Sequence, residues 1–174
     1  MIKREEQIKN TLIELLSTTH IDEVNVNEIC SLLNIKRQTF YYHYSNIFDV
    51  LMSIFQDISF EFKEDESLES FIKRLLDLLF LNVDFNKEIA KSNSKEIILT
   101  LYEGFYYRYF LGYLKKYQLT LDEVKDLAKY YSSSLNSQTF YLFTNDNYSK
   151  EDIIHKLTKL LNQEDIDILV KRLR

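Results

Sequence analysis

Apolar positions recur at three- and four-residue steps from the start of the chain. Ile8, Leu12, Leu15 and Leu16 share one side of a helix predicted over 4–18, and after a polar interruption Val26, Ile29, Leu32 and Leu33 repeat the pattern over a shorter length. Asn25 followed by Glu28 is a capping-box signature for the start of that second helix. Asn34 suits the left-handed conformation of a tight turn, Ile35 is an apolar plug, and a third helix is predicted from about Lys36 through "RQTFYYHY". On it Phe40 shares a face with Lys36 and Tyr44, while Arg37, Gln38, Tyr41 and Tyr42 occupy the rest of the circumference. A new period of Ile47, Val50, Leu51, Ile54, Phe55 and Ile58 predicts a longer helix leaving this module, and "KEDES" at 63–67 reads as a boundary. Further helices are expected from Ser67 through Leu81, ambiguously over 84–91, and from Ser94 to about Tyr117. Others are expected from the Thr120/Glu123 capping box to about Phe143 and from Ser149/Asp152 to Leu161, with a terminal turn or two after Asn162.

Composition agrees with this reading. The chain has 174 residues, no proline and two glycines, 45% hydrophobic and 28% charged residues, so a folded, all-α protein with a packed core is expected. The expected architecture is an N-terminal three-helix module of helix-turn-helix form over 1–46, followed by a helical bundle over 47–174. The opening "MIKREEQIKN" carries charges where a signal peptide would be apolar, and no run approaches a membrane span of ~18 apolar residues. A cytoplasmic protein without membrane association is expected. Cys30, the single cysteine, excludes an internal disulfide and a multi-cysteine metal site and reads as structural. His20, His43 and His155 stand far apart, and no HExxH, GxSxG or phosphate-cradling glycine loop is present. An enzyme is therefore the poorest fit, and no catalytic residue, metal or cofactor is expected.

Net charge is −5, and residues 1–55 hold five Lys and Arg against seven Asp and Glu, a balance of −2. If this region touches nucleic acid, local placement of its donors must do the work. That placement suits a helix-turn-helix, whose second helix presents its first turns to base edges in the major groove. Arg37 can bind guanine through two hydrogen bonds, Gln38 can do the same with adenine, and the Thr39 methyl can meet thymine. Tyr41, Tyr42 and His43 can reach phosphates, while Phe40 and Tyr44 pin the helix to its own core. Lys36, with Asn25 and Asn27 at the start of the second helix, completes the candidate DNA-binding set. The alternative is structural: tyrosines at helical spacing often pack partly buried, and short polar helices often join longer ones without a ligand.

Residues 8–51, and above all "TFYYHY" followed by a helix start, resemble the DNA-binding domain of the TetR family of transcriptional regulators. The resemblance covers the first third of the chain. It implies a homodimer that binds a double-stranded DNA operator, with a helical C-terminal domain that takes a small effector and dimerises through its last long helices. Repression is the default direction it implies. The chain departs from the family pattern at Asn34, commonly glycine, at Ile47, usually a phosphate-contacting lysine, and at Asn27, typically arginine. More loosely, "RQTFYYHY" with "IFDVL" resembles the branch containing activators of dihydroxyacetone-kinase operons, some of which work through a protein partner.

In "YEGFYYRYFLGYLKKY", residues 102–117, Tyr102, Tyr106, Tyr109, Tyr113 and Tyr117 form one helical stripe, and Gly104 and Gly112 nearly share a face. The stripe is either core or the wall of an effector pocket with Tyr102, Tyr106, Arg108, Tyr109 and Tyr113 as its polar points. The small polar residues in "YYSSSLNSQTFYLF", residues 130–143, permit close helix approach, as at a dimer interface, or lie on a surface face. The series Ile153, Ile154, Leu157, Leu160 and Leu161 suits the second helix of such an interface. A protein-interaction module on a helix-turn-helix scaffold is the rival reading. The acidic balance of residues 1–55 favours it and the donors at 36–39 oppose it.

Overall fold

Every regular element in the structure, a computed structural model that describes residues 3–63 and 65–172, is helical, and the expected all-α class holds. Residues 1 and 2 at the head of "MIKREEQIKN", residue 64 within "KEDES" and the end at 173–174 lie outside the described residues. The helices are α1 (Arg4–Leu16), α2 (Val26–Leu32), α3 (Arg37–His43), α4 (Ile47–Gln56), α5 (Leu68–Leu81), α6 (Val83–Lys91), α7 (Lys95–Tyr113), α8 (Leu121–Phe143), α9 (Lys150–Leu160) and α10 (Gln163–Arg172). A 3-10 turn at Leu114–Lys116 ends the α7 segment, so Tyr117 falls beyond the helix predicted to reach it. The ambiguous stretch at 84–91 is a full helix, and α10 is longer than the turn or two expected.

The caps explain why the boundaries fall where they do. Thr120 with Glu123, and Ser149 with Asp152, form reciprocal capping boxes at the starts of α8 and α9, each satisfying two backbone donors. Ser67 Oγ accepts from Ser70 N–H at 3.2 Å before α5, and Asn46 Oδ1 accepts from Asp49 N–H at 2.9 Å before α4.

The described chain forms two compact units, Met1–Ser59 with Asn82–Ile98, and Phe60–Leu81 with Leu99–Arg174. Compactness thus divides the chain elsewhere than at the expected 46/47 boundary. The physical reason is that α4 packs on α1, with Val50 and Leu51 fully buried, and α6 also packs on α1. Within the first unit α1 contacts α2, α4 and α6, and α2 contacts α3. Its core is Ile8, Leu12, Leu16, Ile29, Phe40, Val50 and Leu51, and Cys30 is buried among them as expected. Each such apolar side chain contributes about 1.5–3 kcal/mol on burial. Lys9 bonds Asp57 across this unit; burial, the largest single influence, lowers the lysine's pKa, but the bond to Asp57 together with the charges of Asp57, Tyr44 and Glu6 outweighs it and the net shift is upward.

In the second unit α9 packs against both α5 and α8. Ile153 and Leu157 are 0% exposed within the protomer, which corrects the expectation that their stripe is a dimer face. They serve the unit's own core, whereas Leu121, Tyr130, Tyr141 and Leu160 are the exposed large apolar side chains of α8 and α9. The small polar residues of α8 are likewise divided between core and surface. Ser132, Asn136 and Thr139 are buried, with Thr139 Oγ1 and Tyr106 Oη 2.7 Å apart and Asn136 Nδ2 donating to Leu99 O at 3.0 Å. Ser134, Ser137 and Gln138 are exposed.

Both glycines of α7 are exposed, and a Cβ built at either would meet no atom within 4 Å. No neighbour within the chain therefore requires their smallness. Gly104→Ala is expected to raise stability by about 0.5–1 kcal/mol through helix propensity alone, measured by urea unfolding; a loss of stability would show that the open space is needed for folding.

Candidate nucleic-acid interface

The segment 25–44 is built from two short helices locked by one turn. Asn25 Oδ1 accepts from Glu28 N–H at 3.2 Å, one half of the expected capping box. After α2, Asn34 takes φ 49°, Asn34 N–H donates to Ser31 O at 3.1 Å and Ile35 N–H to Cys30 O at 2.9 Å. This is a Schellman turn with asparagine in the left-handed position that glycine usually fills. Asparagine tolerates that region better than other side chains, so the departure from glycine leaves the turn intact.

The turn delivers the chain to α3 with Lys36 at the N-cap and Arg37, Gln38 and Thr39 in the first turn. Phe40 is 0% exposed and fixes the rotation of the helix about its axis, with Tyr44 half-buried beside it at 6.3 Å between ring centroids. Lys36, Arg37, Gln38, Tyr41 and Tyr42 are consequently exposed and Thr39 is half-buried. Tyr42, at 85% exposure, is the most open large side chain of the helix. Asn25 and Asn27 are exposed at the start of α2.

Arg37 Nη2 donates to Tyr41 Oη at 3.1 Å, and its guanidinium lies 5.7 Å from the Tyr41 ring centroid. That bond raises the arginine pKa further, so the group is a cation at every relevant pH. Among the described residues neither Lys36 nor Arg37 is ion-paired with a carboxylate. Elsewhere in the unit Lys9 is held by Asp57, and His20 Nδ1 lies 2.9 Å from Glu88. Two cations without a carboxylate partner thus stand at the start of α3, where a groove-reading helix needs them.

His43 is placed differently from its two tyrosine neighbours. Its Nδ1 lies 3.2 Å from Glu5 Oε1 on α1 and its side chain is only 16% exposed, so Tyr42 rather than His43 stands clear at the end of α3. Sequence reasoning also passed over Phe48, which is 49% exposed on the first turn of α4. The apolar period of α4 places Phe48 off its buried face, which was a usable signal.

The five residues named for an effector pocket separate. Tyr102 and Tyr106 are fully buried between α7 and α8, with Tyr102 edge-on to Phe140 at 5.7 Å, and burial pushes both phenols far above their ordinary pKa. Arg108, Tyr109 and Tyr113 instead line a groove of about 680 Å³ with the 62–67 loop and Lys115 and Lys116. Among the described residues no three His, Cys, Asp or Glu side chains are grouped to hold a metal ion, and no described helix is long and apolar enough to cross a membrane.

No protein-family model matches the chain, and no curated protein matches it. Among solved structures the chain is similar to one described as dihydroxyacetone kinase operon activator DhaS, with 20% sequence identity over 90% of this chain and 92% of that one and a TM-score of 0.68. The similarity shows a shared fold.

Proposed function

We propose that the chain is a sequence-specific DNA-binding transcriptional regulator of TetR type, acting as a homodimer on a double-stranded operator in the cytoplasm. The observation that carries this is the first turn of α3. Lys36, Arg37 and Gln38 are exposed at the start of a helix pinned by Phe40, and among the described residues neither cation is ion-paired with a carboxylate. The likeness of fold to a protein named as an operon activator supports the class. For direction our reading is repression released by a small effector, because a dimer seated on an operator blocks transcription without a dedicated activating surface. Deleting the gene should then raise expression from the operator; a fall would make the chain an activator. The primary test is selection from random DNA, followed by affinity for selected and random duplexes at two salt concentrations. Equal affinity for both at either salt would refute sequence reading.

Arg37→Ala is expected to weaken binding to the selected site by about 1–3 kcal/mol and to relax preference at one base pair. Uniform loss on every sequence would demote it to a phosphate contact. Tyr42→Phe should weaken specific and random DNA about equally and leave the melting temperature unchanged, since its ring is exposed. A fall in melting temperature would show that the hydroxyl is structural.

A second reading, a protein-interaction module, is favoured by one observation: Leu32, Tyr42 and Phe48 leave unusual apolar area on an acidic helix-turn-helix unit. It predicts no preference for any DNA and capture of a protein partner through these side chains.

A further inference from the structure

We propose that the groove between residues 62, 63 and 65–67 and the C-terminal end of α7 binds a small organic anion with a flat apolar body. The consequence, an effector-controlled DNA affinity, rests on the regulatory reading above, whereas the binding itself does not.

The space is of ligand size, about 680 Å³. Its charge is opposite to that of the chain as a whole. Lys63, Arg108, Lys115 and Lys116 line it, and among the described residues none of them is paired with a carboxylate. Of the two carboxylates among the described lining residues, Asp65 and Glu66, Glu66 is already taken by Arg74, whose Nη1 donates to both its oxygens at 3.0 and 2.9 Å. An excess of uncommitted cations on a protein of net charge −5 is a local anion trap.

The walls between these cations are aromatic. Tyr109 and Tyr113 stack with 5.8 Å between centroids, Lys116 Nζ sits 3.8 Å from the Tyr113 centroid, and the Arg108 guanidinium lies 5.8 Å from that of Phe62. A planar apolar body can lie along these rings while its charged group meets the cations at the rim. A further feature marks the groove. Gly112 is one of its lining residues, and a Cβ there would meet no atom within 4 Å, so a large side chain at this position would occupy open groove space. The opposite wall is held in advance of any ligand. Tyr109 Oη donates to Glu66 O at 3.1 Å, Arg74 clamps the same residue, and Asp65 keeps a left-handed backbone at φ 57°.

The test titrates phenyl phosphate and benzoate into the full chain by calorimetry, with benzyl alcohol as the uncharged counterpart. At least one anion should bind saturably below about 10 mM and at least about tenfold more tightly than the alcohol. Arg108→Gln combined with Lys116→Gln should remove that margin. Gly112→Leu, whose Cβ meets nothing in the fold, should abolish binding with an unchanged circular dichroism spectrum. Equal binding of charged and neutral probes, anion binding that survives these substitutions, or no saturation by either anion would overturn the proposal. DNA affinity is measured separately with and without the bound anion. An anion that binds a chain without DNA affinity leaves the groove assignment standing and sinks the regulatory reading. Specific DNA binding by a chain that takes no anion does the reverse.

Discussion

Leu157→Asp is expected to unfold the second unit rather than to split a dimer. Leu157 is fully buried on α9, a helix enclosed by α5 on one side and α8 on the other, and Ile153 one turn earlier is equally buried. Removing a buried leucine side chain costs about 2–5 kcal/mol, and leaving an unpaired carboxylate in its place adds several more. No spare cation is at hand on the first turn of α9, because Lys150 is committed to Asp77. Urea unfolding should therefore show loss of more than about 4 kcal/mol, a large part of the stability of any ordinary domain. By contrast Tyr141→Arg, on the exposed side of α8, should leave the unfolding midpoint of a monomer nearly unchanged and should dissociate a homodimer built on that face. Light scattering resolves the two outcomes. A Leu157→Asp protein that stays folded and becomes monomeric would place the interface on the stripe that the structure buries.

Phe40→Ala should be nearly as damaging, for a reason specific to short helices. A seven-residue helix has no independent stability, and α3 is held by the tertiary burial of the single side chain that is fully enclosed on it. Truncating a buried phenylalanine costs about 3–5 kcal/mol. Without that anchor the rotation of α3 is no longer set, so affinity should fall on selected and random DNA together, accompanied by loss of thermal stability. Arg37→Ala should change the ranking of sequences instead, with stability intact. A Phe40→Ala protein that kept its stability would mean that the Schellman turn and the Tyr44 contact suffice to seat α3.

Local chemistry was legible in the sequence, and its spatial partners were not. Thr120, Ser149 and Asn25 announce caps because their side chains satisfy backbone groups only a few residues away, and each does so in the fold, while Asn34 announces a turn by tolerating the left-handed backbone it adopts. A stripe such as Ile153 and Leu157 shows only that one face is apolar. Whether α5, α8 or a second copy covers it depends on residues some 70 positions away, such as Asp77, which Lys150 meets. The same limit applies to the tyrosine stripe of α7. Spacing aligns Tyr102, Tyr106, Tyr109 and Tyr113, but α8 covers the first two with Phe140 and Thr139 while the last two reach the groove. Lys115 and Lys116 could have been read as part of that groove from their place after the stripe. Lys63 and Phe62 could not, since a loop about forty residues earlier brings them there.

The first compact unit is assembled from two separated stretches of chain, so it is not a cassette that recombination could move by one cut. A graft of residues 1–59 onto another body would arrive without α6, stripping the cover from α1 and leaving Phe55 without the ring of Phe85, now 5.8 Å away. Hybrid proteins made from this chain should therefore fail to fold when joined at residue 59 and succeed when the donor also supplies 82–98. Changes in residues 1–59 that face α6 and changes in α6 itself are therefore tied together, although the chain separates them by more than twenty residues.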